Sequence, residues 1–161
     1  MEHTKDKTSY LVIDIETTGL DVFKDRILCV GVKYNDEPAR CYTDREEFRI
    51  YVGTIFNPVS IIGHNITFDV KFLMRSGYLE ADNCQYVDTK ILAFYNNPHE
   101  SHKLDDLAKK YLGKQKLTTV KELLGKGKNK IRMEDVDKEL LQEYCKTDVD
   151  LTWELFNLWN K

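Results

Sequence analysis

Apolar residues crowd into short dense runs over the first third of the chain and recur at helical intervals over the last. Tyr10–Glu16 (YLVIDIE) is an apolar run rich in β-branched residues, Arg26–Tyr34 (RILCVGVKY) is a second and Ala39–Thr43 a third, with the turn residues NDEP between the last two. Runs of this kind predict strands, and three in close succession predict an antiparallel meander. Asp44, with Glu47 three residues on, makes a capping-box arrangement ahead of Phe48, Tyr51, Val52 and Ile55, which repeat at helical spacing until Pro58. Val59–Asn65 predicts a short buried strand. Thr67 predicts the cap of a helix carrying Val70, Phe72, Leu73 and Met74 and ending at Gly77. Gln85–Asp88 predicts another strand, with Asp88 capping a helix over Thr89–Tyr95. The polar stretch NNPHESHK reads as a loop, and Leu104, Leu107, Ala108, Tyr111 and Leu112 predict a helix closed by Gly113. GKGKNK, from Gly125, is a basic glycine-rich loop. Leu140, Leu141, Tyr144, Cys145, Asp148, Leu151, Leu155 and Leu158 then mark a long final helix.

This order, β-β-β-α-β-α-β-α-α, predicts an α/β fold: a mixed β-sheet flanked by helices, with an antiparallel edge on a partly parallel sheet. At 161 residues without repeat or linker, the chain is expected to form a single domain over 1–161. A net charge of −3 excludes a uniformly basic nucleic-acid coat while leaving room for a local basic patch. Cys29, Cys41, Cys84 and Cys145 are widely spaced, without a C-x-x-C pair. That spacing argues against a zinc site and for reduced, partly buried thiols. The polar N-terminus MEHTKDKTS lacks the apolar stretch of a signal peptide, and no run reaches the length of a membrane span. The expectation is a cytoplasmic protein with no membrane partner.

One feature breaks the apolar pattern. In LVIDIETTGLD, Asp14 and Glu16 fall on the same face of a predicted strand, where like charges repel and are costly to desolvate. Asp69 lies in the first turn of a predicted helix, where a carboxylate also serves the helix dipole. Asp148 sits on the apolar stripe of the last helix, four residues after Tyr144, so the two side chains can reach a common point. A buried carboxylate needs a partner. Convergence of these four acids is tolerable around hard divalent cations, for which carboxylate and water are the fitting ligands.

The stretches DIETTGL (Asp14–Leu20), NITFD (Asn65–Asp69) and YCKTD (Tyr144–Asp148) resemble, in order and spacing, the three exonuclease motifs of the DEDD superfamily, whose fold is ribonuclease-H-like. Tyr144 four residues before Asp148 is similar to the branch with tyrosine in the third motif; the histidine branch would place His where Glu143 stands. GKGKN, preceded by VKELLG, resembles the proofreading exonuclease domain of family A DNA polymerases, either free-standing or excised. Val120 stands where that family often carries an aromatic residue.

The resemblance implies a metal-dependent 3′–5′ exonuclease using two Mg²⁺ or Mn²⁺ ions on DNA 3′ ends, single-stranded or frayed, with a DNA polymerase as a partner in trans. It implies that Asp14, Glu16 and Asp148 hold one ion, that Asp14 and Asp69 hold the other, and that Tyr144, aided by Glu16, orients the attacking water. Thr17, Leu20, His64, Asn65 and Phe68 would bind substrate, Leu20 as a wedge against the terminal base, with Lys126 and Lys128 approaching phosphates. Two alternatives stay open: an RNA-trimming exonuclease of the same branch, and a non-catalytic nucleic-acid-binding or polymerase-docking module.

Overall fold

The computed structural model describes residues 9–55, 59–80, 84–116, 120–125, 127 and 130–160. Among these, β1 (Ser9–Thr17), β2 (Ile27–Tyr34) and β3 (Arg40–Tyr42) are followed by helix α1 (Arg45–Gly53), β4 (Val59–Gly63), α2 (Ile66–Arg75), β5 (Gln85–Asp88) and α3 (Thr89–Asn96). The chain continues through α4 (Leu104–Leu107), α5 (Val120–Leu124) and the long α6 (Lys138–Trp159). The strands form one sheet in the order β3-β2-β1-β4-β5. β2 runs antiparallel to both β1 and β3, whereas β1–β4 and β4–β5 are parallel. The expected antiparallel edge on a partly parallel sheet is therefore what forms.

Period-2 alternation along β1 divides the molecule. Leu11, Ile13 and Ile15 pack with Val30 and Val32 of β2 against Phe48 of α1 and Ile66, Phe72 and Leu73 of α2. Val12, with Ile62 of β4, packs against Val149, Trp153 and Phe156 of α6, and the Tyr10 ring lies 4.9 Å from that of Phe156. Asp14 and Glu16 continue this second row, so the strand's own alternation turns both acids toward α6. Phe48 is wholly buried; truncating it to Ala would cost about 3–5 kcal/mol.

Gly31 lets α6 come close. A Cβ there would meet Cys145 Sγ at 2.8 Å and Val149 Cγ2 at 2.9 Å. Because Gly31 pairs with Asp14 across the β1–β2 ladder, the close approach delivers α6 to the strand position that carries the acid.

Several elements differ locally from the sequence expectation. Asp44 caps α1, accepting from the amides of Glu46 and Glu47, and Asp88 caps α3 through Lys90 N, as expected. Thr67 does not cap α2. That position belongs to Asn65, which takes a left-handed conformation (φ 64°) two residues after β4 ends, so Thr67 already lies in the first turn. The helix expected through Gly113 stays α-helical only to Leu107 and widens into a π turn over Ala108–Leu112 before Gly113 closes it in the left-handed region (φ 65°). Tyr111 in that turn packs edge-on against Trp159 at 5.5 Å and donates to Glu100 Oε1. Leu140, expected on the apolar stripe of α6, is exposed. Among the described residues no helix is long and apolar enough to cross a membrane.

Candidate active site

β1 outruns its parallel neighbour. Its pairing with β4 covers Ser9–Val12, after which the β4 chain turns into α2. The Ile15 amide, left facing that turn, donates to Asp69 Oδ1 at 3.1 Å. The first turn of α2 is thereby pinned beside the end of β1, where Asp14 and Glu16 face α6 and Asp148. Three separate elements thus bring four carboxylates to the carboxyl end of the central strand, the usual position for sites in open α/β sheets.

Glu16, Asp69 and Asp148 are buried and Asp14 is half-buried. The carboxylates of Asp14 and Glu16 and the Cys145 sulfur all lie within 4.8 Å of one another. Burial, then repulsion from Asp148, Asp69 and Glu16, holds the Asp14 carboxyl well above its ordinary range. Burial and Asp148 push Glu16 up to about 8. Burial raises Asp69 to about 7, against the lowering effect of the backbone amides it accepts from. Burial likewise raises Asp148 to about 6, with Lys116 acting in the opposite direction. The repulsion expected of Asp14 and Glu16 is therefore present and extends to all four acids.

This donor set fits hard divalent cations. It consists of carboxylate oxygens whose charged forms are disfavoured unless positive charge arrives. Asp148 Oδ1 is also buried without a directed hydrogen bond, its contact to Lys116 being an ion pair.

Lys116 is the site residue that sequence reasoning missed. Its Nζ lies 2.5 Å from Asp148 Oδ1, 2.7 Å from Asp105 Oδ1 and 3.1 Å from the Tyr144 hydroxyl, 4.6 Å from the Tyr144 ring centroid. These acidic neighbours hold the ammonium above its ordinary pKa despite burial. Lys116 follows the π turn in an aperiodic polar stretch, so no pattern marked it. Asp105 likewise reads as the polar face of a short helix. Tyr144 is buried, and desolvation together with Asp148 raises its phenol, which removes it as a base near neutral pH.

Beyond Glu16 the chain folds into a braced loop. The Thr17 hydroxyl donates to Gly19 O at 2.6 Å, Thr18 Oγ1 donates to Asp25 Oδ1, and the Asp21 amide donates to Asp25 Oδ2. Gly19 is required there, because a Cβ would stand 2.5 Å from Asp25 Oδ2. The loop holds Leu20 in solvent, 85% exposed, and Phe23 beside it at 78%, with Arg75 over the Phe23 ring at 5.9 Å. Leu20 is therefore not a core residue. Phe23, Asp25 and Arg75 were not singled out in the sequence; an aromatic residue in the polar stretch DVFKDR was the one available signal.

The remaining substrate candidates divide. His64 Nε2 contacts His102 O and Nδ1 contacts Thr89 Oγ1, both at 2.9 Å; burial lowers its pKa, so the neutral ring donates from Nε2. Asn65 N donates to Asp88 Oδ1 and its side-chain oxygen accepts from Lys90. Phe68 packs on Phe72 at 4.9 Å and is only half-buried. His64, Asn65, Lys90, Lys116, Tyr144 and Asp148 line one open cleft. Lys126 and Lys128 lie outside the described residues.

Linear spacing argued against a thiol cluster, yet the fold gathers three of the four cysteines. The sulfurs of Cys29, Cys41 and Cys145 lie within 4.8 Å of one another, directly behind the acids.

The profile of the 3′–5′ exonuclease family matches residues 1–161. DNA polymerase I of Borreliella burgdorferi is 28% identical over 96% of this chain and 18% of its own length. DNA polymerase DpoZ of Vibrio phage phiVC8 is 29% identical over 89% of this chain and 26% of its own. The chain thus spans about a fifth to a quarter of these relatives. Among solved structures, NrnC of Brucella melitensis with bound Mg²⁺ superposes with TM-score 0.70 at 18% identity, covering 98% of this chain and 74% of that one. The family B DNA polymerase of Pyrobaculum calidifontis gives 0.67 at 19% identity, covering 98% and 25%. The fold is ribonuclease-H-like, and the chain belongs to the 3′–5′ exonuclease family.

Proposed function

We propose that this 3′–5′ exonuclease removes nucleoside 5′-monophosphates from the 3′ ends of DNA, preferring single-stranded or frayed ends, and that residues 1–161 form one domain working in the cytoplasm of a bacterial or phage-infected cell. The observation that carries the reading is the convergence of Asp14, Glu16, Asp69 and Asp148 beside Tyr144. The DNA polymerase relatives support DNA as substrate, and a polymerase acting in trans as partner.

Asp14, Glu16 and Asp148 would hold one Mg²⁺ or Mn²⁺ ion, and Asp14 with Asp69 a second. Such a pair, when bound, supplies charge to the attacking and leaving oxygens of an in-line displacement. The protein's own groups do the rest. The Tyr144 hydroxyl, held protonated by its raised pKa, orients the attacking water together with Glu16. Asp69, fixed by the Ile15 amide, keeps one carboxylate oxygen bound and the other available. The Thr17 and Asp25 braces present Leu20 to the terminal base. Thr17 positions that loop, while Asn65, Phe68 and the ring of His64 line the strand's path. Lys126 and Lys128 approach phosphates from the basic loop, where each contact adds salt-dependent affinity.

The test is digestion of a 3′-labelled single-stranded DNA oligonucleotide with Mg²⁺ or Mn²⁺. Mononucleotide release that disappears in Asp14→Ala supports the reading; release that survives it overturns the site. A second reading, trimming of short RNA, is favoured by the similarity to NrnC, a structure of which is bound to pGG. Faster digestion of a matched RNA oligonucleotide would select it. Retention of DNA on a gel without turnover would select a binding module.

A further inference from the structure

We infer that Cys29, Cys41 and Cys145 form a second metal site, for a thiolate-seeking cation of the Zn²⁺ or Cu⁺ class, separate from the carboxylate site it adjoins. Cys41 on β3 pairs with Gly31 on β2, and Cys29 precedes Gly31 by two residues on the same strand. Period-2 alternation therefore places both thiols on the face over which α6 passes, where the missing Gly31 side chain lets Cys145 Sγ descend between them.

All three sulfurs lie within 4.8 Å of one another. Thiolates bound at about 2.3 Å to one zinc ion stand about 3.8 Å apart, so small side-chain rotations close the set. Leu123, Val136 and Leu141 wall the cluster in apolar surface, and Met133 packs against it. Such a dry, sulfur-rich pocket selects soft cations over Mg²⁺. Cys41, half-buried on the edge strand, offers the entry path, whereas Cys29 and Cys145 are buried. On binding, three metal–sulfur bonds form and the three S–H protons leave to solvent. The Cys145 proton is the one directed at Asp14, 3.6 Å from its Oδ2 and its backbone oxygen.

The experiment titrates the full chain with Cd²⁺ under excess Mg²⁺, so that the carboxylates are already served. It follows thiolate-to-metal charge-transfer absorption and protection of thiols from alkylation. One equivalent should saturate the band. Cys41→Ser and Cys29→Ser should each weaken binding by at least the roughly tenfold that even an outer-shell loss costs. Cys84→Ser should leave binding intact. No charge-transfer band, a band that Mg²⁺ displaces, or a band unchanged in Cys41→Ser would each overturn the site. Because Cys41 is half-buried on an edge strand, its serine variant is the one least disturbing to the fold, and alkylation protection in the unsubstituted chain reads the same site without any variant.

Discussion

Lys116 Nζ stands 2.5 Å from Asp148 Oδ1, and the lysine side chain is only 4% exposed. The pair places an internal cation on one of the four acids. Removing one member of a buried pair leaves the other charge desolvated, typically at about 3–5 kcal/mol. Lys116→Met should therefore destabilise the metal-free protein by about 3 kcal/mol or more. The loss should shrink when Mg²⁺ is present, because an ion then supplies the missing positive charge to Asp148. Urea unfolding with chelator and with Mg²⁺ measures both; equal losses in the two conditions would show that lysine and ion do not share Asp148.

The four acids set a pH dependence of definite sign. Glu16, near about 4.3 when unfolded, is raised to about 8 in the fold, and Asp69 and Asp148 to about 7 and about 6. Between the unfolded and folded values the native state holds protons that the unfolded chain has shed, so stability falls as pH rises. The metal-free protein should show a falling urea midpoint from about pH 4.5 to about pH 8 from these groups. Mg²⁺ should flatten that slope by displacing the protons. A rising midpoint across this window, without metal, would contradict the raised values.

Tyr144 offers a hydroxyl that is held protonated and already hydrogen-bonded to Lys116. Tyr144→Phe keeps the ring and its packing but loses the grip on the attacking water. Single-turnover digestion of single-stranded DNA should slow by about 10²-fold, the scale of a small positional error at a reacting centre. The fold should persist by circular dichroism. Full activity in the variant would remove Tyr144 from the reaction.

Leu20 is exposed and braced rather than packed. Leu20→Ala should change stability by less than about 0.5 kcal/mol, as exposed substitutions do. It should raise KM for a 3′ end, by up to the roughly 1–3 kcal/mol worth of a base stack. Gly19→Ala should raise KM too, through collision with Asp25, and should also cost stability. Wild-type KM in both variants would move the terminal base elsewhere.

The strands and the acids were legible in the sequence because each is written locally. β-branched runs bounded by turns mark β1 and β2, and a carboxylate inside an apolar pattern is conspicuous at Asp14, Glu16 and Asp148. What was not legible depends on close approach between distant segments. Asn65 displaced Thr67 as the cap because β4 ends at Gly63 and the chain must reverse at once. Lys116 enters the site only because a π turn, anchored through Tyr111 on Trp159 and Glu100, precedes it. The three cysteines meet only because Gly31 lacks a side chain, so spacing along the chain carried no sign of them. The spacing of Leu140 was helical, yet helical spacing alone does not say how wide the covered face is.

β1 is flanked on both sides, antiparallel by β2 and parallel by β4, with helices over both faces. Its amides have no edge from which to fray, so the strand that carries Asp14 and Glu16 should exchange hydrogen with solvent only when the whole sheet opens. The braced loop at Leu20 can breathe on a far shorter timescale. Heating or denaturant should therefore abolish cleavage in step with global unfolding, without an earlier inactive but folded stage, while grip on the strand end can vary with no change in the acids at all.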